Sequence, residues 1–218
     1  MRKALGASCL LLGAVLLIAA LLLYRNNQAE ADEADQAAQS VMDALIQVIP
    51  SETVPDSNSD AQQSDDEEKF EPTEDDEGTE PEISLDYMPD VIVGGYNYIG
   101  YLSFPEVEIN LPVMSQWDYA KLRIAPCRQF GSLDGDNLVI AAHNYERHFG
   151  YLHKAEVGDT VYFTDIEGHS VEYSIEKIRI LKPTQVADVE ESGYDLVLYT
   201  CTFDSSSRVV AFCNRVVG

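Results

Sequence analysis

Near its end the chain places a cysteine and an arginine where they could act together. Asp195-Leu196-Val197-Leu198-Tyr199-Thr200-Cys201-Thr202 reads as an apolar strand with a cysteine at its end, and Arg208-Val209-Val210-Ala211-Phe212 as a second strand with an arginine at its start. The connection from Phe203 to Ser207 is short and polar, so the two strands form a hairpin-like pair in which Cys201 and Arg208 face each other. A guanidinium beside a thiol favours the thiolate, the reactive form of cysteine. An earlier apolar strand, residues 137–142, runs into His143-Asn144-Tyr145 and sets an imidazole at another strand end. A cysteine with a histidine distant in sequence is a candidate nucleophile–base pair. Taken alone, a cysteine in a Leu-Val-Leu-Tyr-Thr run is more often just a small buried residue.

The arrangement outweighs that base rate. The Leu198-Tyr199-Thr200-Cys201 motif, the arginine on the next strand and the upstream Ala142-His143-Asn144 resemble the sortase family, whose members carry Thr-Leu-x-Thr-Cys, a following arginine and an earlier histidine. The resemblance covers about the last 120 residues, by the order of those motifs. It implies a mainly β fold, a closed eight-stranded β-barrel with short helices. It implies Cys201 as nucleophile, His143 as proton carrier and Arg208 as the group that holds substrate and steadies the oxyanion. Thr200 is expected to line the groove. Arg208 is preferred to Arg215, which lies deeper in the strand. The Cys-to-Arg spacing is short for the family, so a tight turn is expected.

The implied reaction is transpeptidation. An LPxTG-like sorting signal on a surface protein is cleaved through a thioacyl enzyme and passed to an amine acceptor, a peptidoglycan precursor or a protein lysine. Two rivals are a hydrolytic cysteine protease and a non-catalytic extracellular binding module. The complete Cys–His–Arg set argues against the binding module; nothing in the residues separates hydrolysis from transfer. The connection from Leu181 to Leu196 is too short for the long helix of class B enzymes. Tyr87-Met88-Pro89-Asp90 stands in place of the lid motif of the pilin enzymes of class C.

The elements that must position these residues follow from the rest of the chain. Strands are read at about 98–104, 108–111, 137–142, 160–165, 170–181, 196–201 and 208–216, with helical turns at 117–121 and 149–154. In Ser170–Leu181, Val171, Tyr173 and Ile175 alternate with Glu172, Ser174 and Glu176, the signature of a half-exposed strand. The folded domain is taken as 83–218, and Tyr96, Tyr98 and Tyr101 as its packing. No cofactor is expected. His143, His148 and His153 match no closed zinc spacing, and Asp134-Gly135-Asp136-Asn137 has only part of a calcium loop and reads as a turn.

The N-terminal portion sets location. Residues 1–25 are a cytoplasmic tip and a membrane anchor: Arg2 and Lys3 precede an uncharged apolar run, Ala4–Tyr24, long enough to cross a bilayer core of about 30 Å. Positive charge on that side keeps it inside, so the remainder is extracellular on a single-pass membrane protein. A cleaved signal peptide, with Ala29-Glu30-Ala31 as its site, fits less well because the apolar run is long. Residues 26–50 form a stem helix with a stripe at Ala34, Ala37, Val41, Leu45 and Val48, ended by Pro50. Residues 51–82 are nearly free of apolar side chains and rich in acid, a disordered spacer that holds the domain away from the membrane. The net charge of −24, from 38 acidic and 14 basic residues, excludes nucleic acid as a partner. In an oxidising exterior Cys127 and Cys213 are expected to be neighbours, either bridged or as two buried thiols.

Overall fold

The described residues form nine strands: β1 (Val91–Val93), β2 (Tyr96–Phe104), β3 (Ile109–Met114), β4 (Cys127–Phe130), β5 (Leu138–Ala141), β6 (Thr160–Asp165), β7 (Ser170–Leu181), β8 (Leu196–Cys201) and β9 (Arg208–Arg215). The computed structural model describes residues 2–50 and 87–217. Its strands follow the order β1-β2-β3-β4-β5-β8-β9-β7-β6, and β2 also pairs with β6. Strands β2 to β9 therefore close into the expected eight-stranded barrel, with β1 added outside by a hairpin. Pairing is antiparallel except for β3–β4 and β5–β8.

Two glycine positions make this ring feasible. Gly94 and Gly95, both at positive φ, form the two-residue turn between β1 and β2. At Gly100 (φ 143°) the β2–β3 register shifts, and a Cβ there would fall 2.0 Å from the Thr164 carbonyl oxygen. The strand passes close enough to β6 to close the barrel only because that Cβ is missing.

The two-residue period sorts side chains between the inside and the outer wall. Leu138, Ile140, Leu196, Leu198, Val209, Ala211 and Cys213 point into the core with Phe104, Phe149, Phe163 and Tyr173. Their strand neighbours Val139, Val197, Val210 and Phe212 form an outer apolar patch that Val189 and Tyr194 cover. Val189 belongs to α2 (Ala187–Glu190), a single turn, so the β7–β8 connection is short as its length implied.

Helix α1 (Arg2–Val48) joins the apolar run and the stem without a break at Arg25. It is long and apolar enough to cross a membrane, and its Leu12–Tyr24 portion is exposed. Its last turns cover a second outer patch, where Leu45 and Ile49 meet Tyr98, Met114, Cys127 and Ala141. The buried stripe is Ala34, Ala38, Met42, Leu45 and Ile49. Ala37 and Val41 are half-buried and Val48 is exposed, a rotation of the helix relative to the stripe read from sequence. Strong alanine and glutamine content leaves the phase of a stripe weakly marked; the barrel surface fixes it.

Several expectations are corrected. The turn read at 117–121 is a 3-10 helix at Lys121–Arg123, and β1, β4 and α2 were not foreseen because three or four residues carry too little periodicity. Of the three tyrosines, Tyr98 is fully buried but under α1, while Tyr96 is exposed on the hairpin. The acidic segment 51–82 and the expected domain start at Ile83 lie outside the described residues. A Cβ at Gly168 would come 2.3 Å from the Pro50 carbonyl oxygen, and Tyr87 and Met88 line a cleft with Asp165 and His169. Both flanks thus sit at the β6–β7 turn.

Cys127 and Cys213 are not neighbours. Both are buried free thiols, one under α1 and the other in the barrel core. Strands β5 and β8 lie between them. That places them roughly 14 Å apart along the sheet at about 4.8 Å per strand, where a disulfide needs less than about 7 Å between Cα atoms. Burial pushes the Cys127 thiol up to about 11 and the Cys213 thiol higher still.

Candidate active site

Strand β8 exposes its odd-numbered residues on the outer wall, and β9 its even-numbered ones. Cys201 is the last residue of β8 and Arg208 the first of β9, and the two are direct cross-strand partners. Both are half-buried and lie on the same outer face. The turn between them is tied down by Asp204, which accepts from the Thr202 hydroxyl (2.6 Å) and from Ser206. Ser205 takes a left-handed φ of 59° in this tight turn.

Parallel pairing of β5 with β8, in register Ala141↔Tyr199, brings the strand ends that carry His143 and Cys201 to the same end of the barrel. Three bonds lock them together. The Ala142 amide donates to the Tyr199 carbonyl (3.2 Å), the Thr200 hydroxyl donates to the Ala142 carbonyl (2.8 Å), and the Asn144 amide nitrogen donates to the Thr202 carbonyl (3.5 Å). Thr200 is 1% exposed, so it does not line a groove as expected; its period places it inward, and its hydroxyl joins the two strand ends.

The His143 ring stacks on Tyr145 (centroids 4.9 Å) and meets the edge of Tyr119 (6.4 Å). Its Nε2 is buried without a hydrogen-bond partner among the described residues. Burial, helped by Arg123, holds the imidazole below its ordinary pKa against an opposing pull from Glu30 of α1. His153, whose spacing fits no closed zinc pattern, reaches the turn. Its Nε2 is 3.1 Å from the Cys201 carbonyl oxygen and donates to it, since a carbonyl only accepts; its ring stacks on Phe203 at 3.9 Å. Asn144 and His153 were missed as site residues because nothing in their spacing points to the β8–β9 turn.

A cleft of about 140 Å³ opens beside this pair, lined by Phe130, Leu181, Val186, Val189, Tyr199 and Arg208. The Tyr199 hydroxyl donates to Gln129 across its floor. Arg215 belongs to the opposite end of β9. It pairs with Asp136 (2.9 Å), donates to the Leu133 carbonyl and has its own amide held by Asp195.

Behind His143 lies His148, 1% exposed, with neither ring nitrogen hydrogen-bonded among the described residues and the Ala34 backbone on its α1 side. Burial, then His143, lowers it from 6.5 to about 4. A lowered histidine stabilises the fold fully above the unfolded pKa, and that contribution is lost as pH falls towards the folded one. Between about pH 6.5 and 4 the loss amounts to up to about 3 kcal/mol. The urea midpoint is therefore expected to fall from about pH 7 to pH 5, and to fall less in His148→Leu; equal slopes would refute this role.

The sequence profile of the Sortase domain family matches residues 102–216, more than half of the chain. A curated relative, Sortase A of Listeria monocytogenes serovar 1/2a (strain ATCC BAA-679 / EGD-e), is 27% identical over 142 residues, which are 59% of this chain and 64% of the relative. The chain thus spans a little under two thirds of that relative. Among solved structures, Sortase A from Corynebacterium diphtheriae superposes with a TM-score of 0.51 at 22% identity, over 56% of this chain and 62% of that one. Sortase C1 from Streptococcus suis gives 0.49 at 27% identity, over 56% and 74%. This chain belongs to the sortase family. Its barrel has the sortase fold.

Proposed function

We propose that the protein is a membrane-anchored cysteine transpeptidase of the cell surface, with its catalytic barrel outside. The observation that carries this reading is the pairing of Cys201 with Arg208 on one outer face, at the end of the barrel that also bears His143. The sulfur of Cys201 attacks the carbonyl carbon of the scissile peptide bond, and a C–S bond replaces the C–N bond. His143 takes the Cys201 thiol proton as the sulfur attacks and passes it to the leaving amine. An incoming amine then attacks the thioester, His143 takes its proton, and the thiolate leaves. Arg208 steadies the negative oxygen formed in both steps.

The substrate is an extended LPxTG-like sorting signal of a surface protein. In the cleft, Phe130, Val186 and Val189 suit its leucine and proline side chains, Gln129 and Gln185 offer polar groups to its backbone, and Tyr199 and Arg208 lie towards Cys201. The acceptor is an amine on a cell-wall precursor or on a protein. Incubation of the protein with Leu-Pro-x-Thr-Gly-type peptides, with and without an amine, tests the reading by mass spectrometry. The expected products are the cleaved peptide and, with amine, its amide adduct. Cleavage with no adduct at saturating amine favours the hydrolase, and no cleavage of any such peptide overturns the reading.

A further inference from the structure

Helix α1 does more than tether the barrel, because it runs unbroken from the exposed apolar stretch into a stripe packed on the barrel wall. Its contacts follow an order. Pro50 lies at the β6–β7 turn, Ala34 lies at His148, and Glu30 and Glu33 share a cleft with Arg123, Ile124 and Tyr145. From Glu30 to Pro50 a helix rises about 30 Å, the height of a small domain. The membrane-proximal end of the docked helix therefore lies at the His143 end of the barrel, and the β6–β7 turn lies at the distal end. From Tyr24, the last residue of the apolar run, to Glu30 the rise is only about 9 Å, close to the thickness of one headgroup layer, about 5–8 Å.

Exposed aromatic side chains are gathered at that end. Tyr119, 67% exposed, meets the edge of His143, and Trp117, 46% exposed, stands two residues before it. Phe203, 78% exposed, lies two residues after Cys201 and stacks on His153. Aromatic rings with one apolar and one wet side concentrate at membrane–water interfaces. Of the cations nearby, Arg147 pairs with Asp35 at 2.9 Å, and Arg123 shares its cleft with Glu30 and Glu33. The contact is interfacial and aromatic. Pro50 and Tyr87 both lie at the distal end, beside the β6–β7 turn.

From this we propose that the Cys201–His143 end of the barrel docks on the lipid surface, with Trp117, Tyr119 and Phe203 in the headgroup layer. The proposal rests on α1 being a membrane anchor. It places the candidate site at the bilayer surface and not at the end of a long spacer.

Trp117 is the single tryptophan of the chain and so is its own probe. The full chain is reconstituted in phosphatidylcholine vesicles and floated on a density gradient. Its tryptophan fluorescence is then titrated with aqueous iodide and compared with vesicles of lipids brominated near the top of the acyl chain. The expected result is flotation, strong quenching by the brominated lipid and several-fold protection from iodide. A second chain carrying Trp117→Phe and Tyr87→Trp reports from the distal end, where Tyr87 lies beside the β6–β7 turn, 61% exposed. It should be quenched by iodide alone. Flotation with Trp117 open to iodide and untouched by brominated lipid overturns the docking while leaving the anchor intact. A distal tryptophan quenched by lipid overturns the orientation. Failure to float overturns the anchor and the docking with it.

Discussion

Replacing Cys201 by alanine is expected to stop peptide cleavage, lowering turnover by at least about a thousandfold, because the covalent step has no other accessible thiol among the described residues. Cys127 and Cys213 cannot take over: both are buried, and burial raises their thiol pKa. The fold should survive. Cys201 is half-buried at a strand end, outside the core cluster, and removing one sulfur there is expected to cost less than about 1 kcal/mol. The measurement is turnover of a sorting-signal peptide by mass spectrometry beside a thermal melt of the same preparation. An active Cys201→Ala would overturn the entire mechanism, whereas an inactive but unfolded one would show a shifted melt.

Arginine substitutions should separate chemistry from stability. Arg208→Ala is expected to lower kcat about 10²–10³-fold, the usual effect of removing one oxyanion partner, with little change in the melt. Among the described residues its guanidinium donates only to the carbonyl of the adjacent Ser207, so few structural bonds are lost. Arg215→Ala should do the opposite. It breaks an ion pair with Asp136 and a bond to the Leu133 carbonyl that hold the distal turn, at a cost of about 1–2 kcal/mol, while turnover of the folded protein stays near normal. Arg208 and Arg215 stand seven residues apart on one strand, roughly 23 Å. An inactive Arg215→Ala with an intact fold, or a fully active Arg208→Ala, would reverse the assignment.

The two histidines at the β5 end differ in legibility. His143 could be singled out because it follows an apolar strand and sits in a recognisable motif. His148, five residues on, carries no such mark. Its burial between the His143 loop and α1 arises from the packing of two segments more than a hundred residues apart. Thr200 shows the same limit within a motif. Its position beside the nucleophile suggested a groove residue, yet the two-residue period that turns Cys201 outward must turn Thr200 inward.

Local pattern determined the long strands, the apolar length of the N-terminal helix and the facing of Cys201 and Arg208, because each depends on residues close in sequence. The period of β6, β7 and β8 was strong enough to give their limits from sequence alone. Tertiary structure decided what depends on distant segments. Parallel pairing of β5 and β8 set His143 at the Cys201 end. Intervening strands separated Cys127 from Cys213. The barrel wall fixed which face of α1 is buried. It also set Pro50 and Tyr87, far apart in sequence, beside one turn. A sequence encodes which faces need covering; which surface covers them is settled only when the barrel closes.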